Sequence, residues 1–397
     1  MNKITGSDME GNLVANRFRV VIIGGGVIGC LTAWRLAQRG VDPVIIECGR
    51  IGRESSWAGA GILCPIQPWL YPDAFTRLVD ASLELYPDLQ DELQSRTGIS
   101  PQWSKCGLMA PFFPDDTVNH RQAALDWSSR FGWQVEQMDA RQAREAEPAL
   151  AADVQGALSW PDVGQVRNPR LLKAVYALLQ GEGVEIHEQT EVAGLIEKGG
   201  RVCGVRLADG STLEADAVLL AAGSWSGALG KQFGVSLPIQ PVKGQILLLK
   251  SEPKRLKHIV KHDRAYFVPR RDGRILVGAS MEFVGFKPGN TVAEVHGLLD
   301  ALLRLMPQLA HEHIEHQWMG FRPGTPDGLP FLGPVDDKPG LWVASGHYRN
   351  GVALAPVTAD IMSKWILGEQ PALDMTCFLP NRPIQPSEIL GFPDAAS

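Results

Sequence analysis

Gly24, Gly26 and Gly29 follow the apolar run Val20-Val21-Ile22-Ile23, and Glu47 comes 18 residues after Gly29 (47 − 29). Residues of these types at this spacing make a dinucleotide cradle. The first glycine permits a sharp strand-to-helix turn, the second lets the backbone approach a pyrophosphate, and the third allows helix and strand to pack closely. The phosphates then face the free amides and positive dipole end of the helix. Glu47 stands near the ~20-residue offset at which an acidic residue takes the ribose hydroxyls, and its charge disfavours the 2′-phosphate of NADP. The next stretch, Cys48 to Ile62, is rich in small residues and carries hydroxyls at Ser55 and Ser56. Such a segment could wrap the ribityl-diphosphate part of FAD and pass beside its ring, or could simply be a loop packed under a helix.

Two other patterns fail on spacing. His311-Glu312-His313-Ile314-Glu315-His316 has a glutamate at 315 where H-E-x-x-H needs histidine, so it reads as a solvated polar segment and no metal is expected. Gly223-Ser224-Trp225-Ser226-Gly227 has Trp225 where G-x-S-x-G places its nucleophile.

The elements that must position the cradle read as an α/β pattern. A strand over 20–23 leads to a helix Cys30 to Arg39, with Leu31, Trp34 and Leu36 toward a sheet and Gly40 as its stop, then a strand Val44-Ile45-Ile46. Phe75 to Gln94 is helical, with Pro87 expected to kink or split it. Residues 99–166 accumulate Pro, Trp and Phe around a polar helix near 117–130, an excursion into a separate sheet-containing domain. A helix Leu171 to Leu179 and a strand at Val184-Glu185-Ile186 precede a β meander over 191–216, with hairpin turns at Gly199-Gly200 and Asp209-Gly210. Ala217 to Gly223 reads as a buried parallel strand back in the nucleotide sheet, and Ser224-Trp225-Ser226 as the cap of the helix after it. Strands near 244–250, 265–269 and 274–279 and a helix over 291–306 form the body of a second domain. A last strand, Leu341 to Ala344, runs into a closing helix, Val352 to Leu367. No internal repeat is present.

The whole chain sets bounds. Its 397 residues, 45% hydrophobic and 21% charged, suffice for two or more domains. A net charge of −6 without a basic stripe argues against nucleic acid. The cysteines at 30, 48, 64, 106, 203 and 377 form no C-x-x-C pair, which suits a reducing, cytoplasmic setting. Residues 1–16 are polar and read as a flexible leader. No apolar run reaches the ~20 residues needed to span a bilayer.

With these pieces in order, the chain resembles the D-amino-acid oxidase superfamily, most closely the bacterial glycine oxidases associated with thiamine biosynthesis. The carriers are VVIIGGGVIG with Glu47, SSWAGAGIL, AAGSWSG, PVKGQI, AYFVPRRDGRILVGASM, GFRPGTPDGLPFLG and SGHYRNGVALAP, spread over about residues 18 to 370. The resemblance implies an α/β fold, α+β overall, in which a Rossmann-like FAD-binding domain (17–98, 167–238 and 320–370) is interleaved with an antiparallel-sheet substrate-binding domain (99–166 and 239–319). Residues 1–16 and 371–397 would be flexible or peripheral. It implies non-covalent FAD held by Gly24, Gly26, Val27, Ile28, Gly29, Glu47, Cys48, Ser55, Ser56, Ala60, Gly61, Ile62, the backbone of Val192, Gly223, and His347, Tyr348, Arg349, Asn350, Gly351, Val352 and Ala353. The substrate pocket would contain Tyr266, Met281, Arg322 and Arg349. Two positions depart from a close glycine oxidase: Ile62 replaces a usual Met, and Arg264 replaces a usual His. An arginine at the pocket mouth is expected to alter which side chains or acidic substituents are admitted.

The chemistry implied is oxidation of glycine, sarcosine or a small D-amino acid by hydride transfer to flavin N5, with dioxygen returning hydrogen peroxide and the imine giving an oxo acid and ammonia. Arg322 suits the substrate carboxylate, because guanidinium is a permanently charged bidentate fork; by residue type alone it reads as readily as a salt-bridge partner or a loop clamp. Tyr266 could add a hydroxyl donor, or be a packed strand residue, and Met281 is there for shape. A helix starting near Asn350-Gly351 would stabilise negative charge at the flavin N1–C2=O edge. No acid or base side chain is required. Two other readings share these residues. One is a D-amino-acid or glycine dehydrogenase passing electrons to a quinone, with peripheral membrane contact; the other is a flavin-binding subunit with little activity alone. Homo-oligomerisation is compatible with each.

Overall fold

Arg19–Ile23, a β-branched run buried over its last four residues, is the centre of a six-stranded sheet. The computed structural model describes residues 17–65, 67–116, 120–263 and 265–386. In that sheet Arg19–Ile23 pairs in parallel with Asp42–Ile46 on one side and Ala217–Leu220 on the other. Glu185–His187 and Leu341–Ser345 extend it in parallel, and Phe331–Pro334 closes one edge antiparallel. Strands buried on both faces need apolar runs, which is why these segments carry few polar residues. One face is covered by the helices Val27–Gln38, Asn168–Gly181 and Gly351–Ile366. The other takes the meander Val192–Lys198, Arg201–Leu207 and Thr212–Glu214, through Val192, Val202 and Val205.

The second sheet has eight strands, in the order His313–Gly324, Gln240–Lys250, Ile275–Gly278, Ala265–Pro269, Ile259–His262, Leu108–Phe112, Gly156–Trp160 and Glu136–Asp139. It is antiparallel except where Ile259–His262 meets Leu108–Phe112, so residues 99–166 and 239–324 are joined by a parallel pair. The helix Val292–Leu305 seals one face with Leu298, Leu302 and Leu305. The opposite face carries Ile246, Tyr266 and Val268.

Most expected elements are present, with shifted ends. The first helix begins at Val27 rather than Cys30, because Gly26 is already the extended N-cap residue. The expected helix over 75–94 is two, Asp73–Glu84 and Tyr86–Thr97, broken at Leu85 with Pro87 in the first turn of the second. Ser224 and Ser226 are not caps. Their hydroxyls donate instead to Phe321 O (2.7 Å) and Ser345 Oγ (2.8 Å), tying strand ends together. The strand His313–Gly324 runs through the expected boundary at 319/320, since its ladder with Gln240–Lys250 continues from His313 to Gly324. In the segment expected to be peripheral, Met375 and Phe378 are buried, and Arg382 pairs with Asp327 (2.9 Å) and donates to Leu329 O (2.9 Å). Residues 1–16 and 387–397 lie outside the described residues. Among the described residues, no helix is long and apolar enough to cross a membrane.

Candidate active site

A cavity of about 1530 Å³ runs from the first βα turn, between the two sheets, to the face that carries Tyr266. It exceeds the roughly 300–1,000 Å³ of ordinary small-ligand pockets, as a site for a dinucleotide plus a substrate should.

At the nucleotide end, Gly24 has φ +113°, and a Cβ there would stand 2.5 Å from Ala221 O. Gly29 faces the Gly24 carbonyl, which a Cβ would overlap; it permits the helix to pack and does not line the cavity. Gly26 does line it, and a Cβ there would have only Ser56 Oγ, at 3.3 Å, within reach. The Val27 amide, in the helix's first turn, donates to Ser56 Oγ (3.0 Å). Glu47, buried at the end of its strand, accepts from the Gly25 and Gly49 amides, each at 2.7 Å. Cys48 and Val192 complete this wall, with Gly223 and Ile28 beside them.

Ser55–Ala58 is a short helix, and the loop after it lines the cavity through Ala60, Gly61 and Ile62. The loop is clamped from behind. Ser55 Oγ donates to Phe321 O, Trp318 Nε1 to Ala58 O (3.0 Å), and Asn168 Nδ2 to Ser56 O (2.8 Å). Buried Arg270 donates to Ala60 O (2.7 Å), Val166 O (3.0 Å) and Gln165 Oε1 (2.5 Å). Burial pulls its guanidinium down to about 10, still protonated at neutral pH. Sequence reasoning missed Arg270 and Trp318; the one signal was a charged residue directly after the apolar run Ala265-Tyr266-Phe267-Val268.

The far end gathers residues from three segments. Tyr266 is buried against Gly278, where a Cβ would lie 2.6 Å from its ring atoms. The phenol lies beside the Arg322 guanidinium; burial pushes its pKa up, against the guanidinium charge. Arg322 donates to Ser280 O (3.1 Å), and its head occupies the space that a side chain at Gly244 would need. Met281 Sδ receives the Tyr348 hydroxyl (3.1 Å) and Arg349 Nη2 (3.0 Å), and Arg349 Cζ lies 4.8 Å from the Tyr348 ring centre. Arg264 lies outside the described residues, while its neighbours Lys261, His262 and Asp263 line the cavity. Lys261 donates to Asp263 O, and burial pulls its ammonium down to about 8.

Between the two ends, the helix Gly351–Ile366 begins at the cavity with Gly351, Val352 and Ala353 in the wall. Its first amides are unpaired within the helix and carry the positive dipole end. Asn350, its N-cap residue, is buried behind the wall, with its side chain toward the Tyr71 hydroxyl. His347 lines the wall, touches Thr358 Oγ1 at 3.1 Å, and is pulled down to about 3 by burial, hence neutral. The residues of the HEHIEH stretch lie on a turn and a largely exposed strand start, with Glu315 engaged by Arg274 (2.5 Å). No cluster of His, Cys, Asp or Glu able to hold a metal occurs among the described residues.

Two helix N-termini on one cavity, an open glycine at 26 capping the first and a carboxylate directly after the second strand form a site that fits FAD. Gly24, Gly26, Val27, Ile28, Glu47, Ser55, Ser56 and residues 60–62 would hold its nucleotide and ribityl parts, and the start of Gly351–Ile366 would face its ring.

Comparison with known proteins agrees. The chain is 40% identical to a glycine oxidase of Pseudomonas aeruginosa over 91% of its length and 98% of the relative's. It is 36% identical to the bifunctional protein ThiO/ThiG of Synechocystis sp., over 91% of the chain and 54% of that protein. The crystal structure of glycine oxidase from Geobacillus kaustophilus superposes with a TM-score of 0.86 at 32% identity, covering 93% of this chain and all of the other. The model of the DAO family, FAD dependent oxidoreductase, matches residues 19–365, and the chain belongs to that family as an FAD-dependent amino-acid oxidoreductase.

Proposed function

We propose that the protein oxidises the amine of glycine, sarcosine or a small D-amino acid to the imine, which hydrolyses to the oxo acid and ammonia (methylamine from sarcosine) or is used directly in thiamine biosynthesis, with dioxygen as the final acceptor and hydrogen peroxide as its product. The observation that carries the reading is that Arg322 and Tyr266 line the same end of the cavity, remote from the nucleotide turn. A guanidinium fork beside a phenol is a carboxylate receptor of fixed geometry. Met281, Tyr348 and Ile62 stand around it and favour a small substituent on the α-carbon. FAD, when bound, supplies the acceptor for the electron pair of the α C–H bond. The chain's own work is to orient and to desolvate. Arg322 holds the carboxylate, Tyr266 stays protonated as a donor, and neutral His347 adds no charge beneath the ring site. No residue takes the amine proton, so the substrate enters with its amine unprotonated.

The test is anaerobic addition of glycine, sarcosine or D-alanine to the purified yellow protein, followed by air. Bleaching with rapid recovery and stoichiometric peroxide is the expected result. Bleaching without recovery would replace dioxygen by another acceptor and favour the dehydrogenase reading. A flavin bleached by none of the three would overturn the small-substrate assignment.

A further inference from the structure

Lys261 is a half-buried cation on the cavity wall. It lies on Ile259–His262 directly across the ladder from Tyr266 on Ala265–Pro269. Residues directly opposite in an antiparallel pair share a face, so the lysine stands beside the phenol that meets Arg322. The distance is one strand spacing, about 4.8 Å between backbones. Its ammonium donates to the Asp263 backbone carbonyl, and among the described residues it makes no ion pair with a carboxylate. Of the nearby carboxylates, Asp116 is engaged by His262 (2.7 Å) and the Phe113 amide (2.8 Å), and Asp115 by Arg304 (2.6 Å), while the charge of exposed Asp263 favours the ammonium without forming a salt bridge to it. Arg349 adds a second positive charge to the same region. Withdrawing an ammonium from water is costly unless an anion offsets it; Asp263 offsets the burial of Lys261 only in part, and an anionic ligand on this wall would supply the rest.

We propose that Lys261, with Arg349, forms a second anion subsite, so that the site admits amino substrates carrying a second carboxylate one strand spacing from the carboxylate held by Arg322 and Tyr266. This rests on the substrate orientation proposed above. The second carboxylate can be borne on the carbon side chain, as in D-aspartate, or on the nitrogen, as in iminodiacetate. Residue 261 sets the preference for dicarboxylates over monocarboxylates.

The test uses the holoenzyme and two unreactive probes, acetate and succinate, titrated by their perturbation of the flavin spectrum. Succinate should bind more tightly than acetate to the native protein. Lys261→Met should lower the succinate-to-acetate preference at least tenfold, and Lys261→Arg should keep most of it. An unchanged preference in Lys261→Met, or equal loss in both variants, overturns the subsite. Turnover of D-aspartate and iminodiacetate then identifies the source of the charge. A kcat/KM that falls with Lys261→Met, more than that of glycine, marks the productive class, and a fall for neither overturns the proposal. Failure of glycine to bleach the flavin, with succinate preference still following residue 261, would sink the proposed function and leave the subsite standing.

Discussion

Gly244→Ala should impair substrate binding through Arg322 alone. Gly244 sits in the strand Gln240–Lys250, and a Cβ built there would lie 2.5 Å from Arg322 Nη2 and 2.6 Å from Cζ. Non-bonded heavy atoms settle at about 3.5–4.0 Å, so the guanidinium must retreat by roughly 1 Å. A misplacement of that size in a positioning group costs up to about a hundredfold, roughly 2.7 kcal/mol. The backbone is indifferent, because Gly244 does not occupy the left-handed region and extra β-carbons relieve glycine's entropy cost. The expected result is a ten- to hundredfold fall in kcat/KM for glycine, chiefly through KM, with bound FAD and Tm close to native. Steady-state kinetics on Gly244→Ala, Arg322→Ala and the double variant isolate the route. Arg322→Ala itself should cost about 2–5 kcal/mol in carboxylate binding and leave the protein yellow. In its background Gly244→Ala should add little. Native-like KM in Gly244→Ala, or the same loss with and without Arg322, would refute the reasoning.

The glycines of the first turn should separate by role. Gly29→Ala, facing the Gly24 carbonyl, should lower Tm whether or not FAD is bound, whereas Gly26→Val should weaken FAD retention on gel filtration while the apoprotein melts near the native temperature. The reverse pattern would contradict the assigned wall. His347 gives a pH signature. Its imidazole is pulled from 6.5 to about 3 in the fold, so only the unfolded chain takes a proton as pH drops below 6.5, and stability is lost in that direction. The loss is about 1 kcal/mol between pH 6.5 and 5.5. Denaturant titrations of native protein and His347→Asn at both pH values should show that increment only in the native protein, and equal slopes would remove His347 as the source.

Features that rest on neighbours in sequence were legible in the sequence. The turn at Gly24–Gly29, the apolar strands, the meander with its Gly199-Gly200 and Asp209-Gly210 hairpins and the split at Pro87 are set by local backbone freedom and side-chain period, which operate over a few residues. Glu47 was legible too, since one helix and one strand fix its offset, and the structure adds that its carboxylate spans the Gly25 and Gly49 amides. What tertiary structure alone decided rests on contacts between distant segments. Arg270 grips Ala60 across 210 positions and Trp318 grips Ala58 across 260. Gly244 matters only because Arg322 crosses over it, and Lys261 faces the cavity only because strand register sets it opposite Tyr266. Gly29 packs helix against strand as its motif reads, but Asn350, expected in the wall, sits behind it, because a helix start turns some of its residues inward toward the core. Residue type states what a group can do; which groups share a cavity is settled by how two sheets pack, and no local period records that.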